Sequence, residues 1–434
     1  MPCVLLLEAA GPESGALVAT AVASGYEVHA VTQSETHAAY RADLRNLLTG
    51  CLLTDFACPA QALHDVVTYA HRIGADAVLT TNEYLTPLLA KVCASLGLPG
   101  NDPAHADAAR NKAAMHEAFA RHGVTAPRTF VVDDKNQLRR LHTTERIIFP
   151  YVIKPAEGAG SAGVTVVHDP AGVAAAWQAA RTPRGMYGMP LDPCVIVQDY
   201  VEGTEYSVES LTQNGSTTHL CATRKAVTAG NHRVEVGHSL PAVLPPYVER
   251  AIHQEVERAI AAVGIHNGAS HTEVMLTPDS GCVVIEIGAR LGAGQIGFLI
   301  QHALGIDPWK ALLDTALGYP TDLTPTRDDY ATVRFLTSPR TGRLASVAGL
   351  PTTGPGVPVV HLRTAIGDAV REAQANHGRL GHLVVTGPDA DTVDRHAEFL
   401  LAQITIDVVP EPAAPNSLDR PKLRPSQAGA QESL

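Results

Sequence analysis

Cysteine pairs at metal-binding spacing are missing from this chain: its seven cysteines (Cys3, Cys51, Cys58, Cys93, Cys194, Cys221, Cys282) are scattered, and none forms a CxxC. That excludes a disulfide scaffold and a zinc ribbon, and leaves reduced thiols of the kind a cytoplasmic protein keeps. Aromatic residues make up only 5% of the chain, no basic run interleaves with them, and the formal net charge is -11. Nothing there tracks a phosphate backbone, so nucleic acid is not an expected partner. No apolar run is long enough to cross a bilayer, and the opening Met1-Pro-Cys-Val-Leu-Leu-Leu-Glu8 carries no basic region before its short apolar stretch. Neither a membrane span nor a secretory leader is expected, and the chain is placed in the cytoplasm. With 434 residues, 45% of them hydrophobic, it has material for two to four domains built around small-molecule chemistry.

What is present begins with an apolar run, Cys3 to Leu7, a helical stretch from Ala16 to Ser24 and a second strand from Glu27 to Val31. Helices over Ala60 to Ile73 and Glu83 to Ser95 flank a strand at Ala77 to Thr80, so residues 1–105 read as a small doubly wound α/β domain. Gly11 and Gly15 do not complete GxGxxG, which argues against dinucleotide binding there. An amphipathic helix spans Asp107 to His122 and a strand Arg128 to Val132. Two strands between Ile147 and Val167 bracket the segment Val152-Ile-Lys-Pro-Ala-Glu-Gly-Ala-Gly-Ser-Ala-Gly-Val164. The lysine precedes the glycines within a strand, so this is a hairpin and not a P-loop. Strands are expected at Cys194 to Gln198 and Glu205 to Leu211, and a helix at Tyr247 to Val263. The strands His271 to Leu276 and Cys282 to Ile287 are joined by Thr277-Pro-Asp-Ser-Gly281, and helices follow over Gln295 to Leu304 and Pro308 to Leu317. A further α/β segment fills 326–409, and the tail 410–434, rich in Pro, Ala, Ser and Gln, reads as disordered.

Glu273 and Glu286 stand at matching places on the two strands joined by that turn, so both carboxylates can enter one site and offer hard oxygen ligands to magnesium. The plainer alternative is a pair of solvated strand glutamates, but like charges this close are unfavourable without a cation between them. Lys154, at the end of an apolar strand, is placed to meet phosphate oxygens while the glycines after it let backbone N–H groups approach. Its alternative is a solvated lysine on a surface hairpin. Arg290, four residues beyond Glu286, adds a positive charge that is either catalytic or paired with the same glutamates.

The order of these motifs resembles the ATP-grasp superfamily of carboxylate-amine ligases over about residues 1 to 400. The resemblance implies a Rossmann-like N-terminal domain (1–105), a nucleotide-binding subdomain (106–200), a metal and catalytic subdomain (201–325) and a C-terminal α/β lid-type subdomain (326–409), an α/β and α+β architecture overall. Asn111-Lys112 resembles the family's first nucleotide-binding lysine and Lys154 its second, with Glu157, Gly158, Gly160, Ser161 and Gly163 in the loop that closes on the phosphates. Gln198-Asp199-Tyr200-Val201, ending at Glu205, resembles the adenine hinge, with Glu205 meeting the ribose. Glu273 and Glu286 would then bind magnesium, one or two ions, with manganese as a substitute. Two departures stand out. Gln198 replaces the usual glutamate but keeps a carbonyl acceptor for the adenine amino group, and Gly288 replaces an asparagine that ligates the second metal.

Asn267-Gly-Ala-Ser-His-Thr-Glu273 and Glu235-Val-Gly-His-Ser-Leu-Pro241 resemble bacterial L-amino-acid ligases and peptide ligases of antibiotic pathways. The implied activity is amide formation through an acyl phosphate with release of ADP and phosphate, from small carboxylate and amine substrates, by a homo-oligomer. Arg290 and His238 take catalytic roles in this picture, and His232, Arg233, His271 and Gly292 substrate contacts, with Lys225 on the connecting segment before them. The same motifs leave open a purine-pathway or biotin-carboxylase-like enzyme and a nucleotide-binding regulator without catalysis. Replacing Lys154 with Ala should weaken ATP binding by about tenfold or more, the value of one charge-assisted contact; an unchanged affinity in calorimetry would remove the lysine from the nucleotide site.

Overall fold

The computed structural model describes residues 1–182, 185–229, 231–278 and 281–410. The tail from 411 and positions 279 and 280 of the strand-joining turn lie outside these described residues. Cys3–Leu7, Glu27–Thr32, Gly50–Leu53 and Ala77–Leu79 form a parallel sheet in the order third, second, first, fourth. The first strand is a continuous apolar run because both of its faces are buried. Val4 and Leu6 join a core that includes Trp309 and Leu313, whereas Leu5 and Leu7 face Val66 and Leu85. Packing of the sheet on the later helix Pro308–Leu317 carries its carboxyl end, Thr80 to Tyr84, towards the middle of the molecule.

The glycine-rich hairpin belongs to an antiparallel sheet of Thr129–Val132, Val195–Asp199, Tyr151–Pro155 and Thr165–Val167, taken in that order across the sheet. Helices Lys135–Thr143 and Val173–Ala180 cover one face through Leu138, Leu141 and Trp177. A larger antiparallel sheet of eight strands runs Gly281–Gly288, Gly268–Thr277, Thr204–Gln213, Ser216–Val227, Glu235–Leu240, Tyr330–Thr337, Arg379–Gly387 and Val359–Leu362. Its strands come from both sides of residue 326. Helix Pro246–Ala262 packs against it through Ile252, Val256 and Ala259, and helix Ile296–Leu304 through Leu299 and Ile300.

Two helices start later than their apolar periodicity suggests. The helix expected from Asp107 begins at Lys112, because Asn111 caps it with its Oδ1 accepting from the N–H groups of Ala113 and Ala114 at 2.9 and 3.2 Å. The segment before it, Ala106–Ala109, is a separate turn of 3-10 helix. Likewise Glu83–Leu85 is a 3-10 turn capped by Asn82, and the helix proper is Thr86–Leu96. Lys225 is not on a connecting segment but on the strand Ser216–Val227, where it lies opposite His238.

Helix Ile296–Leu304 follows directly on the site residues around Arg290, and its contact with Trp309 holds it in place. A Cβ at Gly297 would lie 1.8 Å from Trp309 Cη2. Gly297→Ala gains roughly 1 kcal/mol of helix propensity but overpacks the indole at a cost of roughly 1–3 kcal/mol. A lower urea midpoint is therefore expected, and a raised one would show that the ring moves aside freely.

Candidate active site

The three sheets meet around a cavity of about 480 Å³. Its wall brings together Lys112, Lys154, Gly158, Gly160, Ser161, Gln198, Asp199, Tyr200, Val201, Glu205, Arg233, His238, His271, Glu273, Glu286 and Arg290, residues singled out from the sequence and spread over some two hundred positions.

The two lysines differ in how they are balanced. Lys112, buried at the helix start, places Nζ 2.8 Å from Glu286 Oε1 and donates to the Gly158 carbonyl at 3.2 Å. Burial pulls its pKa down, but Glu286 and Glu83 outweigh that and hold it above the usual lysine value. Lys154 is equally buried, and there desolvation wins: its pKa falls to about 8, with Glu286 only partly offsetting. A cation short of counter-charge in dry surroundings is suited to receive an anionic group. The loop beside it passes through left-handed backbone at Gly160, Ser161 and Gly163, with φ of 64°, 61° and 75°. Two of these three positions are glycine, which takes that conformation at little cost.

At the hinge, Gln198 is almost fully buried and its Nε2 lies 2.9 Å from both His116 Nε2 and Thr129 Oγ1. Burial, helped by Lys154 and Lys112, drives the His116 pKa to about 3, so the ring is neutral and accepts from the amide. This network assigns the amide orientation and leaves the Gln198 carbonyl as the free acceptor.

Four carboxylates, Glu205, Glu235, Glu273 and Glu286, line the same cavity. Glu273 and Glu286 are register partners on adjacent antiparallel strands. Oxygens of Glu205, Glu235 and Glu273 lie within 4.8 Å of one another. Lys225 sits among them, its Nζ 2.5 Å from Glu273, 2.6 Å from Glu235 and 3.3 Å from Glu205, with a side chain 1% exposed. Against the burial that lowers it, Glu235 and Glu273 raise the Lys225 pKa well above its ordinary value. Burial raises Glu235 and Glu273 in turn, but Lys225 wins and both stay well below the carboxylate range.

Arg290 does not pair with Glu273 or Glu286. Its Nε and Nη2 reach Glu83 Oε2 at 3.0 and 2.5 Å, and the guanidinium overcomes burial to keep Glu83 ionised. His271 donates from Nδ1 to the fully buried Glu209 at 2.6 Å; Glu209 outweighs burial and lifts the imidazole to about 9, a cation 3.5 Å from Glu273. His238 holds the Gly294 carbonyl through Nδ1 at 2.9 Å, leaving the buried Nε2 without a hydrogen bond, 3.4 Å from Glu235.

Other expected contacts turn elsewhere. Glu157 faces away from the cavity, accepting from Arg110, Asn111 Nδ2 and the Asp192 N–H at 3.3–3.5 Å, and fastens the loop base to the helix start. Gly163 and His232 are not on the cavity wall, and the Asp199 carboxylate pairs with Arg128 at 2.6 Å. Gly292 also lies off the wall: its N–H donates to Glu209 at 3.0 Å, and a Cβ there would meet Glu209 and His271 at 2.8 Å, so it is a position of close approach. Sequence reasoning gave no role to Glu83, Glu235, Asn376 or Arg379, all of which line the cavity. Only Glu83 carries a local signal, since it follows a parallel strand at the carboxyl end where open α/β sheets bind ligands.

The donor set suits a hard cation: Glu273 and Glu286 present carboxylate oxygens to one cavity, and ammonium groups now stand against both. Gly288 offers no side-chain ligand, and its Cβ position faces Arg290 at 3.8 Å.

Comparison with known proteins finds likeness in three family models, in curated relatives and in solved structures. Residues 147–298 match the ATP-grasp domain family, 18–100 the ATP-grasp N-terminal domain and 334–409 the L-amino acid ligase C-terminal domain 2. The chain is 26% identical to the alanine–anticapsin ligase of Bacillus subtilis over 61% of its own length and 58% of that protein's. It is 28% identical to the dapdiamide A synthase of Enterobacter agglomerans over 46% of each. The chain thus spans about half to three fifths of the length of these curated relatives. Among solved structures, an L-amino acid ligase from Bacillus licheniformis superposes with a TM-score of 0.78 at 21% identity, covering 94% of this chain and 99% of that one.

The neutral His116 makes the fold acid-sensitive. Its folded pKa of about 3 lies below the ordinary 6.5, so between those values the unfolded chain binds the extra proton and stability falls as pH drops through the window; above it the ring contributes no pH dependence. His116→Gln should flatten the fall in urea midpoint between pH 7 and about 4.5. Parallel losses in both proteins would show that the ring is not held neutral.

Proposed function

We propose that this chain, built of ATP-grasp domains, is an ATP-dependent ligase that joins the carboxylate of one amino acid to the amine of another through an acyl phosphate. The single observation that carries this reading is the shared cavity itself. Two buried lysines and a glycine loop line it together with the paired glutamates and Arg290, and Lys112 stands directly against Glu286 at 2.8 Å.

In this reading Lys154, with its deficit of negative charge, and Lys112 hold the triphosphate under the loop, while the Gln198 carbonyl and the backbone at Tyr200 and Val201 receive adenine. Glu205 meets the ribose. The substrate carboxylate attacks the γ-phosphorus, the bond to ADP breaks, and an acyl phosphate forms. The amine then attacks the acyl carbon, loses its proton, and phosphate leaves as the amide forms. Glu273 and Glu286 hold magnesium, whose charge offsets that on the phosphoryl oxygens. Arg290, fixed by Glu83, stabilises the acyl phosphate and the oxyanion of the second step. His238 and His271 border the substrate end, and the loop excludes water that would waste the intermediate.

The amino-acid substrate class is supported by the names of the relatives and by the C-terminal match to L-amino acid ligases. The specialised, antibiotic or dipeptide, setting rests on the same names. A homo-oligomer in the cytoplasm completes the reading; among the described residues no helix is long and apolar enough to cross a membrane.

Screening pairs of amino acids and amines for ADP and phosphate release, with mass analysis of the amide, tests the activity. Glu286→Gln should lower magnesium-dependent ADP release by at least about a hundredfold, a loss of the size found when an electrostatic catalytic group is removed. Circular dichroism should show the variant to be folded, with a lower urea midpoint because buried Lys112 loses its charged partner. Near-normal turnover in that variant would sink the metal assignment.

A further inference from the structure

One contact on the cavity wall joins segments more than two hundred residues apart. The Asn376 N–H donates to the Gly160 carbonyl at 3.0 Å, at the crest of the glycine loop. The Asn376 side chain turns the other way, to Glu235. Its Oδ1 accepts from the Glu235 N–H at 3.1 Å and its Nδ2 donates to Glu235 Oε2 at 2.8 Å. Arg379, three residues on, donates to the Glu235 carbonyl at 2.9 and 3.1 Å and to Oε2 at 2.9 Å, with its guanidinium 3.7 Å over the Phe335 ring. Glu235 is thereby gripped at backbone and side chain from the C-terminal segment, while its other oxygen meets Lys225. A second contact, Val166 N–H to the Asn231 carbonyl at 3.1 Å, closes the loop's far side.

We infer that Asn376 is a positioning residue that clasps the glycine loop shut over the cavity and, through the same side chain, aims Glu235 within the carboxylate cluster. Loop closure and the placement of Glu235 are then one event, because moving Asn376 off Gly160 disturbs the two bonds its side chain makes. The Gly160 carbonyl is the only atom of the loop crest that Asn376 holds by a hydrogen bond among the described residues, so the clasp can open for nucleotide entry at the cost of a single bond. Gly160 is suited to this contact. A Cβ there would lie 3.6 Å from Asn376 Cβ, so the crest packs directly on the asparagine. The consequence for turnover rests on the ligase reading, whereas the clasp itself rests on geometry alone.

Two variants separate the parts. Asn376→Ala keeps the N–H and loses the bonds to Glu235. Asn376→Pro loses the N–H as well, and the site tolerates proline because Asn376 opens a 3-10 turn after an extended Ala375, φ -159° and ψ 165°. Hydrogen exchange of the peptide spanning 157–166 in the full chain, without nucleotide, should be about fivefold faster in Asn376→Pro than in Asn376→Ala, the worth of one backbone bond. Equal exchange in the two would overturn the clasp. With ATP, magnesium and a productive substrate pair, ADP released per amide formed should rise in Asn376→Pro above Asn376→Ala; no difference would disconnect the clasp from shielding the intermediate.

A crosslink guards against a misfolded proline variant. The 3.6 Å Cβ separation lies within the disulfide range. Gly160→Cys with Asn376→Cys, in a Cys58→Ser background because Cys58 is exposed, should oxidise to a locked loop that takes up no ADP until a thiol reductant is added. Failure to crosslink, or ADP uptake by the crosslinked form at the wild-type rate, would overturn the inference. Wild-type protein that binds no nucleotide would instead defeat the ligase reading and leave the hydrogen exchange and the formation of the crosslink to judge the clasp.

Discussion

Lys225 stands where Glu205, Glu235 and Glu273 converge, and the rest of the cavity is arranged around that balance. Three carboxylates with oxygens this close repel one another, and burial deepens the penalty because water no longer screens them. A single ammonium bonded to all three relieves it, with Arg233 and Arg379 steadying Glu205 and Glu235 from outside. The opposite condition holds at Lys154, a buried cation whose neighbours only partly compensate it. Within one cavity, therefore, Lys225 is well supplied with carboxylates and Lys154 is not.

The sheets supply the geometry. Antiparallel pairing puts Glu273 opposite Glu286 and Lys225 opposite His238, so side chains distant in sequence share a wall without any loop having to place them. The parallel sheet, fastened through Trp309 and Leu313, delivers Glu83 to Arg290. Arg290 is consequently oriented by the N-terminal domain, and Glu273 and Glu286 are left to Lys225 and Lys112. A Cβ at Gly288 would stand in ordinary contact with Arg290, 3.8 Å from its Cγ.

Much of the fold was legible because it is written locally. A continuous apolar run marked the first parallel strand, whereas the short, half-exposed strand Gly50–Leu53 was not expected, and the two strands around the turn at 277–281 identified themselves by their shared glutamate position. The lysine ahead of the glycines spoke for a hairpin, and a hairpin is found. Helix starts at Asp107 and Glu83 were misplaced because apolar periodicity cannot register a capping side chain such as Asn111 or Asn82. The family resemblance put Glu157 in the loop that closes on the phosphates, but its carboxylate is drawn to Arg110 and Asn111, partners set by where the helix begins.

By itself the sequence determined many of the strands, the glycine hairpin with Lys154 and the facing glutamates, since each follows from spacing within one element or one hairpin. Lys112 came from the family resemblance, and the strands Gly50–Leu53, Ser216–Val227 and Glu235–Leu240 were not expected. Only the tertiary structure decided which charges meet: that Lys225 joins Glu235, that Glu83 takes Arg290, that His116 stays neutral beneath Gln198, and that Asn376 reaches Gly160. Those pairings depend on the register of an eight-stranded sheet and on burial from several elements at once. No local pattern encodes either, because the energy of a buried charge depends on everything packed around it.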